Sequence, residues 1–418
     1  MKIVKNTALI ILAILGWTAF IVYGGLMNGF FLKKINTEDT PQSFVEVIKE
    51  KVSDEFVGTF AMTLIEDGEV SKEYFYSKDE PVNKNTIFPV ASISKWVTSF
   101  GIMKLVEEGK LDLDQPVDDY LTRWHLPDSE FDNKKVTIRR LLSHSAGLVD
   151  DLGYSGYLPN ETVQTIEESL IKASDAPYSE GVARVGYEPG SEYMYSGASY
   201  TILQLVIEEV TGQSFQEYMT QTVFEPLKMD HSTFVLAEKP NLQLAQLYNS
   251  DKEITPPNKF TALAAAALFT STTDLTKFLM ANITDNPVLS NSTLSKMSQP
   301  EAFINQIAVY GLGPHLYSQN DTNSNIIGHD GSGGRIVINS AARIDLSSKD
   351  GIIILEIGSR NIASNMADEW IFWKAGIADY VVIQRNKNYL ITLLVIGYLG
   401  IVLFSIFRIR KKKKAQNY

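Results

Sequence analysis

The chain contains no cysteine, which excludes a disulfide, a thiolate nucleophile and a Cys-based zinc site. Only five histidines are present; they are scattered, with no His-x-x-x-His or His-Glu-x-x-His pair, so no metal site is expected. A Gly-x-Ser-x-Gly elbow is also missing, which sets aside the Ser-His-Asp hydrolases built on it. Internal repeats and low-complexity linkers are lacking. The balance of 44% hydrophobic to 21% charged residues is that of a folded chain rather than a disordered one.

Charge is absent from two long stretches. Residues 7–26, TALIILAILGWTAFIVYGGL, and residues 389–407, YLITLLVIGYLGIVLFSIF, are each long enough to cross a hydrocarbon core of about 30 Å. The first is longer than a signal-peptide core and has no small-residue cleavage site after it, so it reads as an uncleaved anchor. The second runs into Arg408, Arg410 and Lys411 through Lys414, a basic block of the kind found at a cytoplasmic face. With Lys2 and Lys5 before the first span, both termini are expected in the cytoplasm and the rest outside. This gives three regions: an anchor (1–34), a large extracytoplasmic domain (35–388), and a second span with its basic tail (389–418).

Removing the ten cations of the two end regions from a formal net charge of −11 leaves −21 for the domain between them. So acidic a surface disfavours nucleic acid, whose affinity rests on cations neutralising phosphates. Sequons at Asn160, Asn282, Asn291 and Asn320 carry no weight, because such triplets arise by chance.

Within the domain, FVGTFAMTLIEDGEVSKEYFY (56–76) reads as two strands joined at Glu66-Asp67-Gly68. Ile93, Trp96, Val97, Phe100 and Met103 have helical spacing, and Gly109 supplies a stop, so a helix is expected to begin near Ser92. From about Leu111 to Phe234 the chain reads as mainly helical, with Ser214 and Glu217 in a capping-box pattern and an apolar face at Ile202, Leu203, Leu205, Val206 and Val210. Strand-like runs return at Ile336–Ile338 and Gly351–Ile357, followed by an amphipathic segment, Ala363–Ala375. The order implies one sheet built from both ends of the domain with a helical part inserted, an α/β (α+β) arrangement with the site at the junction.

Ser92-Ile93-Ser94-Lys95 places a hydroxyl and an ammonium one helical turn apart, where the amine can serve as base for the serine. The helix N-terminus and burial both favour the neutral amine. Ser169-Leu170-Ile171-Lys172 repeats the pattern by chance in an acidic helix; what distinguishes Ser92 is its company. Downstream of FPVASISKWVTSFGIMKLVEEGKLDLDQPVDDYL come VTIRRLLSHSAGL, YEPGSEYMYSGASYTILQLVIEEVTG, EPLKMDHSTF, FTSTTDLTKFL, YGLG and GHDGSGG.

These blocks, in this order, resemble the serine β-lactamase, DD-peptidase and esterase superfamily, especially the branch related to class C β-lactamases and penicillin-binding proteins. The resemblance implies a β-lactamase/transpeptidase-like fold with an antiparallel sheet flanked by helices. It implies Ser92 as the acylated serine, Lys95 as its partner, and Tyr195 of Tyr195-Ser196-Gly197 as general base or acid. His329-Asp330-Gly331 matches the third motif in the form found in peptidase and esterase members. The oxyanion donors by position are the N–H groups of Ser92 and Ser332, with His329 and Gly331 on the substrate side. The second motif usually ends in Asn, and Gly197 in that place argues against β-lactam and peptide recognition more than against acylation. His144 matches a supporting block; His125, His231 and His315 have no recognisable role. The expected function is acyl-enzyme hydrolysis without cofactor, on D-alanyl peptides or esters of the cell envelope or on small esters. The alternatives are a β-lactamase or penicillin-binding sensor, and a non-catalytic surface binding module. Oligomeric state is left open.

Overall fold

The computed structural model describes residues 2–52, 56–149, 153–177, 179–317 and 325–415; the sequon at Asn320 lies outside these. Along the chain, helices α1 (Lys2–Val22) and α2 (Pro41–Lys51) precede strands β1 (Thr59–Glu66), β2 (Glu69–Ser77) and β3 (Phe88–Pro89). Helices α3 (Ile93–Glu107), α4 (Ile138–Leu142), α5 (Ile166–Lys172), α6 (Gly197–Thr211), α7 (Phe215–Met219) and α8 (Leu263–Ala266) follow. Then come β4 (Phe269–Thr270), α9 (Thr272–Ala281), α10 (Asn291–Met297), β5 (Ala302–Ile304), β6 (Ile307–Tyr310), β7 (His315–Leu316), β8 (Ile326–Gly333), β9 (Ile338–Asp345), β10 (Gly351–Ile357), α11 (Ile362–Ala375) and α12 (Tyr380–Ala415). Two compact units result: residues 41–367, and the segments up to 40 and from 368 onward.

The larger unit is organised by an antiparallel sheet in the order β2-β1-β10-β9-β8-β7-β6-β5. Asp67 and Gly68 both take positive φ, 48° and 82°, as a two-residue hairpin between right-twisted strands requires. β1 then pairs with β10, Thr59 opposite Ile357 and Ile65 opposite Gly351, so the two ends of the unit close one sheet, as expected from sequence. β1, β9 and β10 are almost wholly buried; β1 and β10 are largely apolar runs, whereas β9 buries Asn339, Ser340, Arg343 and Asp345. The buried face of α3 packs with the rest of one large apolar cluster that includes Trp96, Phe100, Phe215 and Phe278.

Two expectations need correction. Residues 111–234 are mostly irregular, with only short helices apart from α6; turn-forming Gly, Pro, Asp and Ser interrupt the periodic stretches. Ile336–Ile338 lies at the β8–β9 turn, where Ile336 makes an isolated bridge to Asn249 and the strand starts at Ile338. The strand before it, β8, carries His-Asp-Gly-Ser-Gly, whose glycines and polar residues hide it from a search for apolar alternation.

In the smaller unit the segments Thr7–Leu26 and Tyr380–Lys411 are long and apolar enough to cross a membrane. The second helix, Tyr380–Ala415, extends somewhat more than two turns beyond each end of the apolar stretch read from sequence. The pair is tied by Thr18 Oγ1 and Tyr398 O–H at 2.7 Å, by Trp17 Nε1 donating to the Leu393 carbonyl, and by Gly397, which admits the Trp17 ring. Such close approach at a small residue is a common way for membrane helices to pack.

Glu356, on β10, is fully buried. Its Oε2 accepts the Ala363 N–H at the start of α11, yet burial outweighs that bond and pushes the carboxyl up to about 7. Its protonated form therefore suits the fold: the contribution is whole below the ordinary value of about 4.5 and is lost as pH rises through about 7. Glu356→Gln should raise Tm at pH 8, by an amount worth about 1–3 kcal/mol, and leave it nearly unchanged at pH 4.5, as read by thermal unfolding at both pH values.

Candidate active site

Ser92 is carried to the surface by a short β platform. Phe88 of β3 pairs with Thr270 and Pro89 with Phe269 of β4, and Ala91 then turns with φ 45°, a left-handed conformation that costs an alanine of order 1 kcal/mol or more. Ser94 holds the turn: its Oγ donates to the Ala91 carbonyl at 2.5 Å and accepts the Leu268 N–H at 2.9 Å. Ser92 thus stands at the N-cap of α3, partly exposed, while Ser94 and Lys95 are buried.

Lys95 is 3% exposed. Its Nζ donates to the Ala265 carbonyl at 2.8 Å and to Ser92 Oγ at 3.2 Å, and lies 5.0 Å from the Tyr195 ring centroid. α8, of sequence LAAA, offers that carbonyl without bulk. It is clamped by Gln204 on α6, whose Nε2 donates to the Thr261 carbonyl and whose Oε1 accepts the Ala264 N–H.

Tyr195 is gripped on both sides by His144. The His144 carbonyl accepts the Met194 N–H, and His144 Nδ1 accepts the Ser196 N–H; Nε2 therefore carries the ring proton. Ser196 also caps α6 by accepting the Ser199 N–H, which leaves Gly197 buried in the first turn. A supporting role for His144, expected from sequence, has this concrete form.

His329 is 1% exposed. Its Nδ1 donates to the Asp330 carbonyl, so Nε2 accepts the Tyr310 O–H at 2.9 Å. Both ring nitrogens are engaged within the protein. The ring is turned into the structure, toward Tyr310, rather than to solvent. Gly331 is where that strand meets Ser92: a Cβ added there would stand 2.0 Å from the Val90 carbonyl oxygen and 3.2 Å from the Ser92 amide nitrogen. Ser332, the next residue, is exposed.

His315 was given no role by the sequence, and the structure places it in this cluster. Its ring is nearly parallel to that of Tyr195, 14° apart at 6.2 Å, and lies 4.8 Å from His329 and 4.6 Å from Tyr310. Tyr310 and the buried Arg343 were missed too; Arg343 pairs with Asp330 at 2.5 Å and stacks on Tyr317. Tyr310 opens the Tyr-Gly-Leu-Gly block and could have been flagged by it, whereas no sequence signal marks Arg343. Ser169 and Lys172 do not form a second site, since Ser169 is buried in α5 and Lys172 is exposed.

Burial keeps all three histidines of the cluster neutral. His144 and His329 are pushed far below the ordinary imidazole value, with the Lys95 charge adding to the effect. His315 is pushed down to about 4, chiefly by burial, with Asp330 opposing and Arg343 and Lys95 assisting. A serine, a buried amine bonded to it, a tyrosine beside that amine and a glycine-lined strand against the serine amide form an arrangement suited to nucleophilic attack on a carbonyl.

A family profile described as Beta-lactamase matches residues 44–354. The chain belongs to that family. It is 26% identical over 335 residues to the Putative penicillin-binding protein PbpX of Bacillus subtilis (strain 168), covering 76% of this chain and 78% of that protein. It is also 26% identical over 203 residues to Protein flp of Staphylococcus aureus (strain MW2), covering 47% of this chain but only 39% of flp. Among solved structures, the octameric penicillin-binding protein homologue from Pyrococcus abyssi superposes with a TM-score of 0.64 at 28% identity, over 78% of this chain and 74% of that one. The fold is therefore that of the penicillin-binding-protein-like serine hydrolases.

Because Gly331 leaves no room for a methyl group beside the Ser92 amide, Gly331→Ala should displace β8 from Ser92. Turnover of an activated ester, measured by stopped flow, should fall about 10²–10³-fold, while the circular dichroism spectrum is kept.

Proposed function

We propose that this protein is a membrane-anchored serine hydrolase that works through an acyl-enzyme on Ser92. The observation that carries the reading is the 3.2 Å bond between Lys95 Nζ and Ser92 Oγ, with the amine fixed from behind by Ala265. In its neutral form Lys95 takes the Ser92 proton as Oγ bonds to the acyl carbon. The N–H groups of Ser92 and Ser332 hold the oxyanion, and Tyr195 protonates the leaving group. Water then attacks the ester, giving its proton back through the same groups and releasing acid and free Ser92.

The substrates in this reading are D-alanyl peptides or esters of the cell envelope, or small esters. Cations at the outer ends of both apolar helices support cytoplasmic termini and an outward catalytic unit. A second reading, trapping or hydrolysis of β-lactams, is favoured by the likeness to PbpX, named a putative penicillin-binding protein, over 78% of its length. Gly197 counts against it, since no side-chain amide is offered at that place. A non-catalytic binding module is disfavoured because Ser92, Lys95 and Tyr195 are all present.

The test is labelling of the full-length chain in nanodiscs by a fluorophosphonate and by a fluorescent penicillin. Wild type should react with the phosphonate, Ser92→Ala should not, and Lys95→Met and Tyr195→Phe should each slow ester turnover about 10²–10⁴-fold. Labelling of Ser92→Ala at the wild-type rate would remove Ser92 from the reaction; labelling of wild type by penicillin as well would select the second reading.

A further inference from the structure

The immediate neighbours of the nucleophile and of the third motif, Ala91 and Ser332, line one small cleft together with Asn258, Phe260 and Phe269. Those last three residues also line a groove of about 650 Å³, within the range of small-molecule sites. The walls of the groove are apolar, formed by Val163, Phe234, Leu236, Leu244, Phe260 and Leu263 among others, and its charged lining residues are two lysines. Both ammonium groups are turned to backbone carbonyls, Lys239 to Asp230 and Lys259 to Glu161. On a unit whose surface is strongly acidic, an apolar concavity of this size leaves surface in water that a ligand would cover.

A second observation marks the junction of cleft and groove. Asn258 is 7% exposed, and its Nδ2 donates to the Ser155 carbonyl at 2.8 Å, which fixes the orientation of the amide. Its Oδ1 is buried with no partner among the described residues. Buried acceptors are nearly always satisfied, so this one marks a polar point at the mouth of the groove, where a water or an N–H or O–H near the acyl carbonyl meets it before the apolar walls begin.

We propose that the groove is an acyl-chain site: the acyl donor carries an apolar chain that runs from the carbonyl at Ser92 past Asn258 into the groove. The inference rests on the acyl-enzyme reading and names its substrate class. It predicts selectivity by chain length, because each buried methylene contributes about 0.8 kcal/mol.

The experiment measures kcat/KM of the full-length chain in nanodiscs for p-nitrophenyl butyrate and octanoate below their micelle concentrations, with Ser92→Ala as blank. Octanoate should be preferred by at least about tenfold. Leu236→Asp, which makes the wall polar, and Val163→Trp, which fills the space, should each bring the two esters within about twofold while butyrate turnover persists. Equal rates in wild type, or a preference untouched in both variants, would overturn the groove assignment with the hydrolase reading intact. If neither ester is turned over, the hydrolase reading falls and the groove is judged by calorimetry on Ser92→Ala: octanamide must bind at least about tenfold tighter than butanamide, and Val163→Trp in that background must abolish the difference.

Discussion

Removing an ammonium from water is costly unless its hydrogens find partners, and Lys95 is an ammonium-bearing side chain almost wholly buried in the middle of the molecule. Much of the surrounding architecture answers that constraint. The carbonyl of Ala265 must be free to accept, so α8 is a single turn of small residues clamped by Gln204. The faces of Tyr195 and Tyr200, with ring centroids 5.0 and 5.8 Å away, offer the negative side of their quadrupoles. The three histidines nearby stay uncharged, and the lysine's own field is one reason. A site arranged in this way leaves the Lys95 amine, bonded to Ser92, as the group beside it that can exchange a proton.

The sheet is the frame that makes this possible, and it closes only when β10 joins β1. That pairing brings residues about 290 positions apart into register, so β8 and its glycines reach the serine only after the ends of the unit have met. A scaffold of such long-range pairing is slow to nucleate but leaves few ways to assemble a partial site.

Much of the frame was legible in the sequence, because its elements carry local signatures. Asp67-Gly68 dictates a hairpin, Gly109 stops α3, and the apolar run of β10 can only be a buried strand. The candidate nucleophile and its lysine were legible for the same reason: a spacing of three on a helix is a local fact. The strand that faces them was not. β8 pairs through its backbone while its residues, His329-Asp330-Gly331-Ser332-Gly333, have none of the composition of a strand. His315 was illegible for a different reason. Its place beside Tyr195 depends on a register between β7 and β8, His315 opposite Gly328, that no periodicity in the sequence announces.

The division between rigid and irregular segments also separates chemistry from choice of substrate. Ser92 and Lys95 belong to α3, the carbonyl behind Lys95 to α8, and the glycine against the Ser92 amide to β8; each is pinned by packing and by buried hydrogen bonds. The proposed acyl-chain groove is walled instead by segments 234–244 and 257–263, most of them outside helices and strands. Segment 234–244 can change with little effect on Ser92 and Lys95, whereas 257–263 also carries Thr261, whose carbonyl holds Gln204 against α8. Gly197 fits the same logic. It leaves the cap of α6 and the grip of His144 on Tyr195 intact, so a residue without a side-chain amide there keeps the Ser92–Lys95–Tyr195 arrangement in place. The same scaffold can then accept a different acyl group through changes in its loops alone, which is how one fold comes to serve several substrates.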